Sequence, residues 1–228
     1  MALMKVYNGV LKDSKSQVVD HNDTFHLISE ELELESYSVS DGVITNFMRK
    51  AEVGTGTVTE TAATHSFEFT TGVSAAAAEA SLYTRDTWTL GEDTIIASFK
   101  LDSHVVGAGA GQRVTQLGFL DIVGVATIAF VCNDAGQWSA YLHDGIASQS
   151  TNITIAGTPT LTVSANRNRQ AFYVDGMKIV EYANANIAVT YATFATIFST
   201  VSAAVARTMS ISNFDISIRV KPSRPKKL

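Results

Sequence analysis

Three glutamates at alternate positions of residues 30–36 (EELELES) have an arrangement that acid–base catalysis uses. In an extended chain Glu31, Glu33 and Glu35 project from one face, with a leucine between each pair. Retaining hydrolysis of a glycosidic bond needs two carboxyl groups about 5 to 5.5 Å apart, one as nucleophile and one as acid. Alternate residues of a strand meet that spacing. A half-exposed strand with its leucines in the core explains the same letters, and we predict this solvated strand face rather than a catalytic site.

A second group of candidate side chains lies in residues 137–145 (QWSAYLHDG). On a strand Tyr141 and His143 share one face and Trp138 points to the other. An aromatic ring with polar groups around it is a common platform for a sugar. Tyr141 and His143 are therefore the candidate ligand-binding residues, which would stack on a glycan if they face the concave surface. The interpretation that we favour places Trp138 in the core and leaves Tyr141 and His143 as ordinary surface residues.

Metal-binding and nucleophilic motifs are weak in this sequence. The five histidines lack the spacing of a zinc site, and the pairs Asn133-Asp134 and His143-Asp144 serve equally well as turn residues. The sole cysteine, Cys132, lies in an apolar run without an adjacent base. We predict that it is a buried small side chain, and no intrachain disulfide is possible. We expect no metal, no cofactor and no enzymatic activity.

The composition restricts the classes of partner. The chain has 228 residues, of which 46% are hydrophobic and 17% charged, against about 25% charged in an average protein. Its formal net charge of -5 does not favour nucleic-acid binding, and no apolar run is long enough to cross a membrane. The last ten residues (RVKPSRPKKL) carry basic side chains and no acid, which predicts a solvated basic tail.

Short stretches rich in β-branched and aromatic residues, separated by turn residues, dominate the chain from about residue 94. We expect strands within residues 94–102, 113–122, 125–134, 137–145, 151–157, 160–167, 170–182 and 207–220. Their spacing predicts an all-β protein, an antiparallel sandwich of two sheets.

Two stretches are ambiguous. The alanine-rich residues 72–86 favour a turn of helix or a loop that leads into a strand, and residues 187–204 favour one long strand or two short ones.

The domain organisation we predict is an N-terminal arm or small subdomain at 1–50, a β-sandwich at 51–220 and a basic C-terminal tail at 221–228.

The segment LTVSANRNRQAFYVDGMKIVEY (161–182) carries the most specific signal. Its aromatic pair and tight Asp-Gly turn resemble a hairpin of concanavalin A-like sandwiches, a group that includes laminin G domains, legume lectins and glucanases. Residues 113–145 are similar to the concave-sheet strands of such domains in phage structural proteins, and residues 211–218 to the closing strand. The resemblance implies a concanavalin A-like jelly-roll fold over residues 65–220. Laminarinase-type hydrolases of this group place their carboxylate ladder on a central concave strand, whereas EELELES precedes the sandwich pattern.

The resemblance to phage domains leads us to expect a non-enzymatic virion structural protein of a tailed phage, either a capsid decoration (cement) protein or a tail-appendage subunit. Its partners would be capsid or tail proteins of the same virion, reached through the terminal arms, and it would form a homo-oligomer. Because the N-terminus lacks the apolar region of a signal peptide, we expect synthesis in the host cytoplasm and a final location in the virion. The alternative is a lectin-like module that binds a carbohydrate or a host receptor through Tyr141 and His143. A glycoside hydrolase is a more remote alternative.

Overall fold

The computed structural model describes most of the chain from residue 48 onward and three short strands before it. The described residues are 5–7, 10–12, 24–28, 48–61, 66–73, 77–84, 87–91, 94–106, 113–121, 126–183, 190–199 and 205–219. The predicted glutamate ladder at 31–35 and the tail at 221–228 lie outside them. All regular elements of the described residues are β-strands.

Two eight-stranded antiparallel sheets form the sandwich. In chain order the first strands are β1 (Lys5–Tyr7), β2 (Val10–Lys12), β3 (Thr24–Ile28), β4 (Met48–Val53), β5 (Thr57–Thr61), β6 (Ser66–Thr70), β7 (Ala78–Thr84), β8 (Trp88–Thr89) and β9 (Thr94–Val105). The others are β10 (Arg113–Asp121), β11 (Thr127–Cys132), β12 (Trp138–His143), β13 (Ser148–Ile153), β14 (Thr160–Ala165), β15 (Gln170–Val174), β16 (Met177–Tyr182), β17 (Thr190–Ser199) and β18 (Thr208–Arg219). The all-β, two-sheet antiparallel prediction is confirmed.

The strand order is non-sequential in both sheets. Sheet I runs β13-β12-β11-β10-β17-β7-β4, with β8 also paired to β17. Sheet II runs β16-β15-β14-β9-β18-β6-β5, with β3 also paired to β18. Strands β1 and β2 pair only with each other. Strand β3 therefore joins residues near the N-terminus to the last strand of the sandwich.

Each of the two ambiguous stretches contains a strand within the residues that the structure describes. Residues 78–84 form β7, in which Ala80 and Leu82 face the core, so tertiary packing overrides the helix preference of alanine. Residues 190–199 form the single long strand β17, which pairs with β10 along its whole length.

The core lies between the sheets and is built from alternate residues of each strand. Phe130 of sheet I meets Phe172 of sheet II edge to face, with ring centroids 5.3 Å apart. Trp138 and Cys132 are buried in this core, as predicted. The hydroxyl of Tyr182 in β16 donates to the carbonyl oxygen of Ala140 in β12 at 3.0 Å, which ties the two sheets together.

A buried guanidinium fixes one part of the interior. Arg207, just before β18, is 0% exposed. Its Nε donates to Oγ1 of Thr115 at 2.7 Å, and its Nη2 donates to the carbonyl oxygens of Cys132 at 3.0 Å and Asn133 at 3.1 Å. The Nε2 atom of His104 lies 2.9 Å from the same Thr115 hydroxyl. Burial, with the nearby charge of Arg207, lowers the pKa of His104 to about 4.

The hairpin between β15 and β16 has the predicted tight turn. Asp175 and Gly176 adopt φ of 50° and 77°, the left-handed values that an Asp-Gly turn supplies at low cost. Strand β16 forms an edge of sheet II and is irregular. Phe172 pairs with Val180 but Tyr173 with Lys178, so Ile179 is an extra residue in the strand.

Candidate functional site

The candidate site lies on the outer side of sheet I, which we call the front face. Because side chains alternate along a strand, each strand of sheet I sends one set into the core and the other to this face. The registers bring one front-face residue from each strand into a row across the sheet. From one edge to the other this row is Ser150, Tyr141, Ala129, Gly118, Phe194, Tyr83 and Arg49.

Tyr141 and His143 lie side by side on the front face of β12. Both rings are partly exposed, their centroids are 6.5 Å apart and their planes differ by 21°. The Nδ1 atom of His143 accepts a hydrogen bond from the backbone N–H of Gly145 at 3.1 Å. In the neutral ring this acceptor role leaves the proton on Nε2, which becomes the free donor. The predicted pair thus presents two near-parallel rings and one N–H group.

Polar side chains border these rings. Ser139 lies on the same face of β12, and the edge strand β13 contributes Ser150 and Asn152 directly opposite Tyr141 and Ser139. Ser150 and Asn152 are exposed. Hydroxyl and amide groups around an aromatic platform are what a sugar needs for orientation.

The centre of the front face is built from small residues and is closed to solvent. Ala129 of β11 is 0% exposed, and Gly118 of β10 beside it is buried. A Cβ atom at Gly118 would lie 2.2 Å from the carbonyl oxygen of Ile128, so only glycine fits between the two strands. A ligand on this face would therefore touch the partly exposed side chains around the centre, such as Gln116, rather than the buried Ala129 and Gly118.

A second aromatic pair lies on β7 and β17, on the side of Gly118 away from Tyr141. Tyr83 of β7 and Phe194 of β17 stack with centroids 6.2 Å apart and planes 14° from parallel. Phe194 is fully buried, whereas Tyr83 is partly exposed. The Cζ atom of Arg49 in β4 lies 5.7 Å from the centroid of the Tyr83 ring, a cation–π distance.

Hydroxyl contacts hold this second pair in place. The Tyr83 hydroxyl donates to Oε1 of Glu79 at 3.1 Å, and Ser81 Oγ donates to the same oxygen at 2.5 Å. Ser81 is in turn hydrogen-bonded to Thr196 of β17. Burial, together with the Glu79 carboxylate, raises the pKa of Tyr83, so its hydroxyl stays protonated and able to donate at neutral pH.

The sequence predicts that Tyr141 and His143 lie together, but it does not predict the contact between Tyr83 and Phe194. Tyr141 and His143 are two residues apart on one strand, so alternation alone places them together. Arg49, Tyr83 and Phe194 come from three strands that are distant in sequence, and only the sheet order β17-β7-β4 brings them together. The partial signal was alternation within residues 78–84, which places Tyr83 opposite to the core residue Leu82.

The front face offers few groups for acid–base chemistry at its centre. The front-face positions of the middle strand β10 are Val114, Gln116, Gly118 and Leu120, none of which titrates. Within the described ranges, no three His, Cys, Asp or Glu side chains cluster as a metal site. The same residues contain no helix with the length and hydropathy to cross a membrane.

A cleft of about 290 Å³ lies on the opposite surface, the outer side of sheet II. It is lined by hydroxyl-bearing residues that include Thr57, Thr59 and Ser210, with the Glu68 carboxylate among them. The one aromatic residue in its lining, Phe69, is 1% exposed and belongs to the core. This cleft thus presents no ring on which a sugar could stack, in contrast to the front face.

No protein-family model and no curated protein sequence matches the chain. Solved structures do. A β-1,3-glucanase from Mycobacterium marinum is 11% identical, with a TM-score of 0.60, over 85% of this chain and 98% of that chain. The carbohydrate recognition domain of Emp46p is 12% identical, with a TM-score of 0.51, over 85% and 99%. The alginate lyase AlyC3 is 9% identical, with a TM-score of 0.52, over 68% and 76%. At these identities the likeness concerns the fold alone, and that fold is the concanavalin A-like jelly-roll sandwich.

Proposed function

We propose that this protein is a non-enzymatic carbohydrate-binding module and that its ligand stacks on Tyr141 and His143. The observation that carries the proposal is the pair of partly exposed, near-parallel rings 6.5 Å apart on the front face, bordered by Ser139, Ser150 and Asn152. The C–H side of a sugar ring packs on an aromatic face, and its hydroxyl groups bond to the polar groups around it. His143 Nε2–H is a donor positioned beside such a ring.

The structural neighbours support this class of ligand. The match to this chain extends over 98% of the Mycobacterium marinum glucanase and 99% of the carbohydrate recognition domain of Emp46p. Fold likeness alone does not assign a ligand, so the argument rests on the side chains of the front face.

We infer binding without cleavage from the side chains of the middle strand of sheet I. Hydrolases of this fold place their carboxylates on a central strand, where alternate residues reach the required separation of about 5 to 5.5 Å. The front-face positions at the centre of β10, the middle strand of sheet I, hold Gln116, Gly118 and Leu120, which supply no carboxylate. Incubation with polysaccharides is therefore expected to release no new reducing or unsaturated ends; their appearance would refute the non-enzymatic part of the proposal.

The binding site is tested with a glycan array followed by calorimetry on the best ligand. We expect Tyr141→Ala to weaken binding about tenfold or more, because loss of a stacking ring removes both area and orientation. His143→Ala would weaken it as well. The matched control is Tyr173→Ala, which removes a partly exposed tyrosine from β15 in sheet II and should leave affinity unchanged. Equal affinity of Tyr141→Ala and the folded wild type would exclude this site.

We further propose that the module belongs to a tailed-phage virion, as a capsid decoration or tail-appendage subunit. Residues 1–50 and the basic tail at 221–228 would attach it to capsid or tail proteins, and a homo-oligomer would display several front faces together. The basic, acid-free tail supports docking on an acidic surface.

A further inference from the structure

We propose that the edge strand β13 pairs antiparallel with β13 of a second copy of this chain, so that the two copies of sheet I join into one continuous sheet. Strand β13 spans Ser148–Ile153 and is the outermost strand of sheet I. Within the part of the chain that the structure describes, its strand partner is β12 alone. The pairing uses the backbone of β13 and does not depend on a glycan.

The other three outer strands of the sandwich carry features that oppose such pairing. Strand β4, at the far edge of sheet I, has three charged residues among its six. In β5 the backbone N–H of Val58 donates to the Glu52 carboxylate at 2.8 Å, so a side chain already occupies that edge of sheet II. Strand β16, at the other edge of sheet II, is interrupted by the extra residue Ile179.

Strand β13 has none of these features. Its sequence, SQSTNI, contains no charged residue and no proline, and its pairing with β12 is regular over all six residues. Ser148, Gln149, Ser150 and Asn152 are exposed. A regular, uncharged and exposed edge is a template on which another strand can pair.

Contacts from behind hold β13 in place. The hydroxyl of Tyr182 in β16 donates to Oγ1 of Thr151 at 2.8 Å. The Nε2 atom of Gln137 donates to the carbonyl oxygen of Ile153 at 3.2 Å. Because the strand is already ordered, its pairing with a second copy costs little conformational entropy.

The hydrogen-bond pattern shows which backbone groups of β13 point outward. The turn before β13 is closed by a hydrogen bond from the N–H of Asp144 to the carbonyl oxygen of Ala147 at 3.1 Å. Hydrogen-bonded and non-hydrogen-bonded pairs alternate along two antiparallel strands. Counting from the turn, the N–H and C=O groups of Ser148, Ser150 and Asn152 therefore point away from β12.

These outward groups are self-complementary about a two-fold axis at Ser150. Ser150 would then pair with Ser150 of the second copy, and Ser148 with its Asn152. All three pairs are of the hydrogen-bonded kind, which gives about six backbone hydrogen bonds. The facing side chains are hydroxyls and amides, so no like charges oppose each other.

An exposed apolar side chain lies where the same pairing would cover it. Ile146, in the turn before β13, is 90% exposed, the largest value among the large hydrophobic side chains of the described residues. With Ser148 opposite Asn152, the residues before β13 of one copy lie beside the residues after β13 of the other, and these include Ile155. Ile155 is partly buried against the core. The dimer would therefore remove apolar surface from water at both ends of the strand pair.

The dimer would bring two front faces together on the same side of the joined sheet. Tyr141 lies directly opposite Ser150 in the register. Three strand spacings of about 4.8 Å would therefore separate Tyr141 from Tyr141 of the second copy, roughly 14 Å. A bivalent glycan site is a consequence that rests on the proposed function, whereas the strand pairing itself does not.

Sedimentation equilibrium of the full-length protein tests the pairing over about 1 to 200 μM, because a strand pair of this size forms a small interface. We expect a dimer whose fraction rises with concentration. Ser150→Pro should weaken dimerisation about tenfold or more, since it removes the N–H at the axis. The pairing with β12 should persist, because that N–H points away from β12. Near-UV circular dichroism checks that the variant is folded.

A charge exchange provides a second test that leaves the backbone unchanged. Ser150→Lys and Ser150→Glu should each weaken dimerisation, because like charges then lie opposite each other, and an equimolar mixture of the two should restore it. Thr59→Lys is the matched control, since it adds the same charge at an exposed hydroxyl residue of the edge strand β5. A monomer at every concentration, or a dimer that the Ser150 variants leave unchanged, would overturn the inference. Glycan binding by Tyr141→Ala decides the proposed function independently.

Disulfide cross-linking tests the register. In Ser150→Cys the two introduced cysteines would have Cα atoms about 5.5 Å apart, within disulfide range, and mild oxidation should link the copies. Gln149→Cys is the control, because Gln149 would lie opposite Thr151 of the second copy rather than opposite itself. The native Cys132 is buried. Equal cross-linking of the two variants would contradict the two-fold axis at Ser150.

Discussion

His104 is a partly buried side chain whose surroundings change the pH at which its ring takes up a proton. Its Nε2 atom faces the Thr115 hydroxyl, which already accepts a hydrogen bond from Arg207, and its ring lies 5.0 Å from that of Trp138. The neutral ring can accept the Thr115 proton. A protonated ring would instead bring a second positive charge beside the guanidinium in a poorly solvated place.

This environment predicts acid sensitivity over a defined window. His104 has a folded pKa near 4 and an unfolded value near 6.5, so the unfolded state binds more protons between these values. Its contribution to stability is complete above about pH 6.5 and is lost as the pH falls towards 4, on the order of 2 to 3 kcal/mol. Urea unfolding at several pH values measures this slope. His104→Asn should flatten it, and an unchanged slope in that variant would assign the acid sensitivity to other groups.

At the scale of residues, the sequence predicts which side chains of one strand share a face. Tyr141, His143 and the buried Trp138 follow from alternation within a single segment. The role of Arg207 does not follow, because a lone arginine between an alanine and a threonine resembles a surface residue until its carbonyl partners from another sheet are known. Arg49 is missed for the same reason.

At the scale of elements, the sequence predicts strands best where β-branched residues and turn residues agree, as in β9, β14 and the β15–β16 hairpin. The alanine-rich stretch leaves a turn of helix and a loop into a strand both open, because alanine favours helix in isolation but its small side chain also packs well in a sheet; the structure shows the strand. In β7 the small side chain of Ala80 allows the two sheets to pack closely. The local sequence cannot show this contribution, because it depends on residues of the opposite sheet.

The contact between β10 and β11 gives a prediction at this scale. Gly118→Ala should destabilise the protein by about 1 to 3 kcal/mol, because the new Cβ would overlap the Ile128 carbonyl and force the two strands apart. Gly91→Ala is the matched control, since a Cβ there meets nothing within 4 Å, and we expect a change within about 0.5 kcal/mol. Thermal unfolding of the two variants makes the comparison. Similar melting temperatures would mean that β10 and β11 tolerate a wider spacing than the structure has.

The molecule as a whole combines a sandwich with a strand recruited from outside it. Strand β3 pairs with the second half of β18, where Ile28 lies opposite Ile216 and Thr24 opposite Arg219. The sequence does not predict this pairing, because strand partners so distant along the chain leave no periodic signal. The boundary that the sequence suggests near residue 50 stays a prediction, as does attachment to a particle.

Two N-terminal truncations address both questions. Removal of residues 1–23 keeps β3 and should leave the free energy of unfolding unchanged, whereas removal of residues 1–47 exposes the edge of β18 and should cost roughly 1 to 3 kcal/mol. In particle co-sedimentation, the truncation of 1–23 and a deletion of 221–228 should each reduce association if the termini attach the protein. Full association of a folded protein that lacks both termini would contradict that role.

The irregular edge strand of sheet II, β16, also affects whether copies of the protein can pair edge to edge. A straight outer strand with an open backbone would recruit the edge of another copy, but the additional residue Ile179 and the 2.9 Å ion pair between Lys178 and Glu181 interrupt such a ladder. At high local concentration, copies of the protein are therefore protected from edge-to-edge β-sheet aggregation through β16.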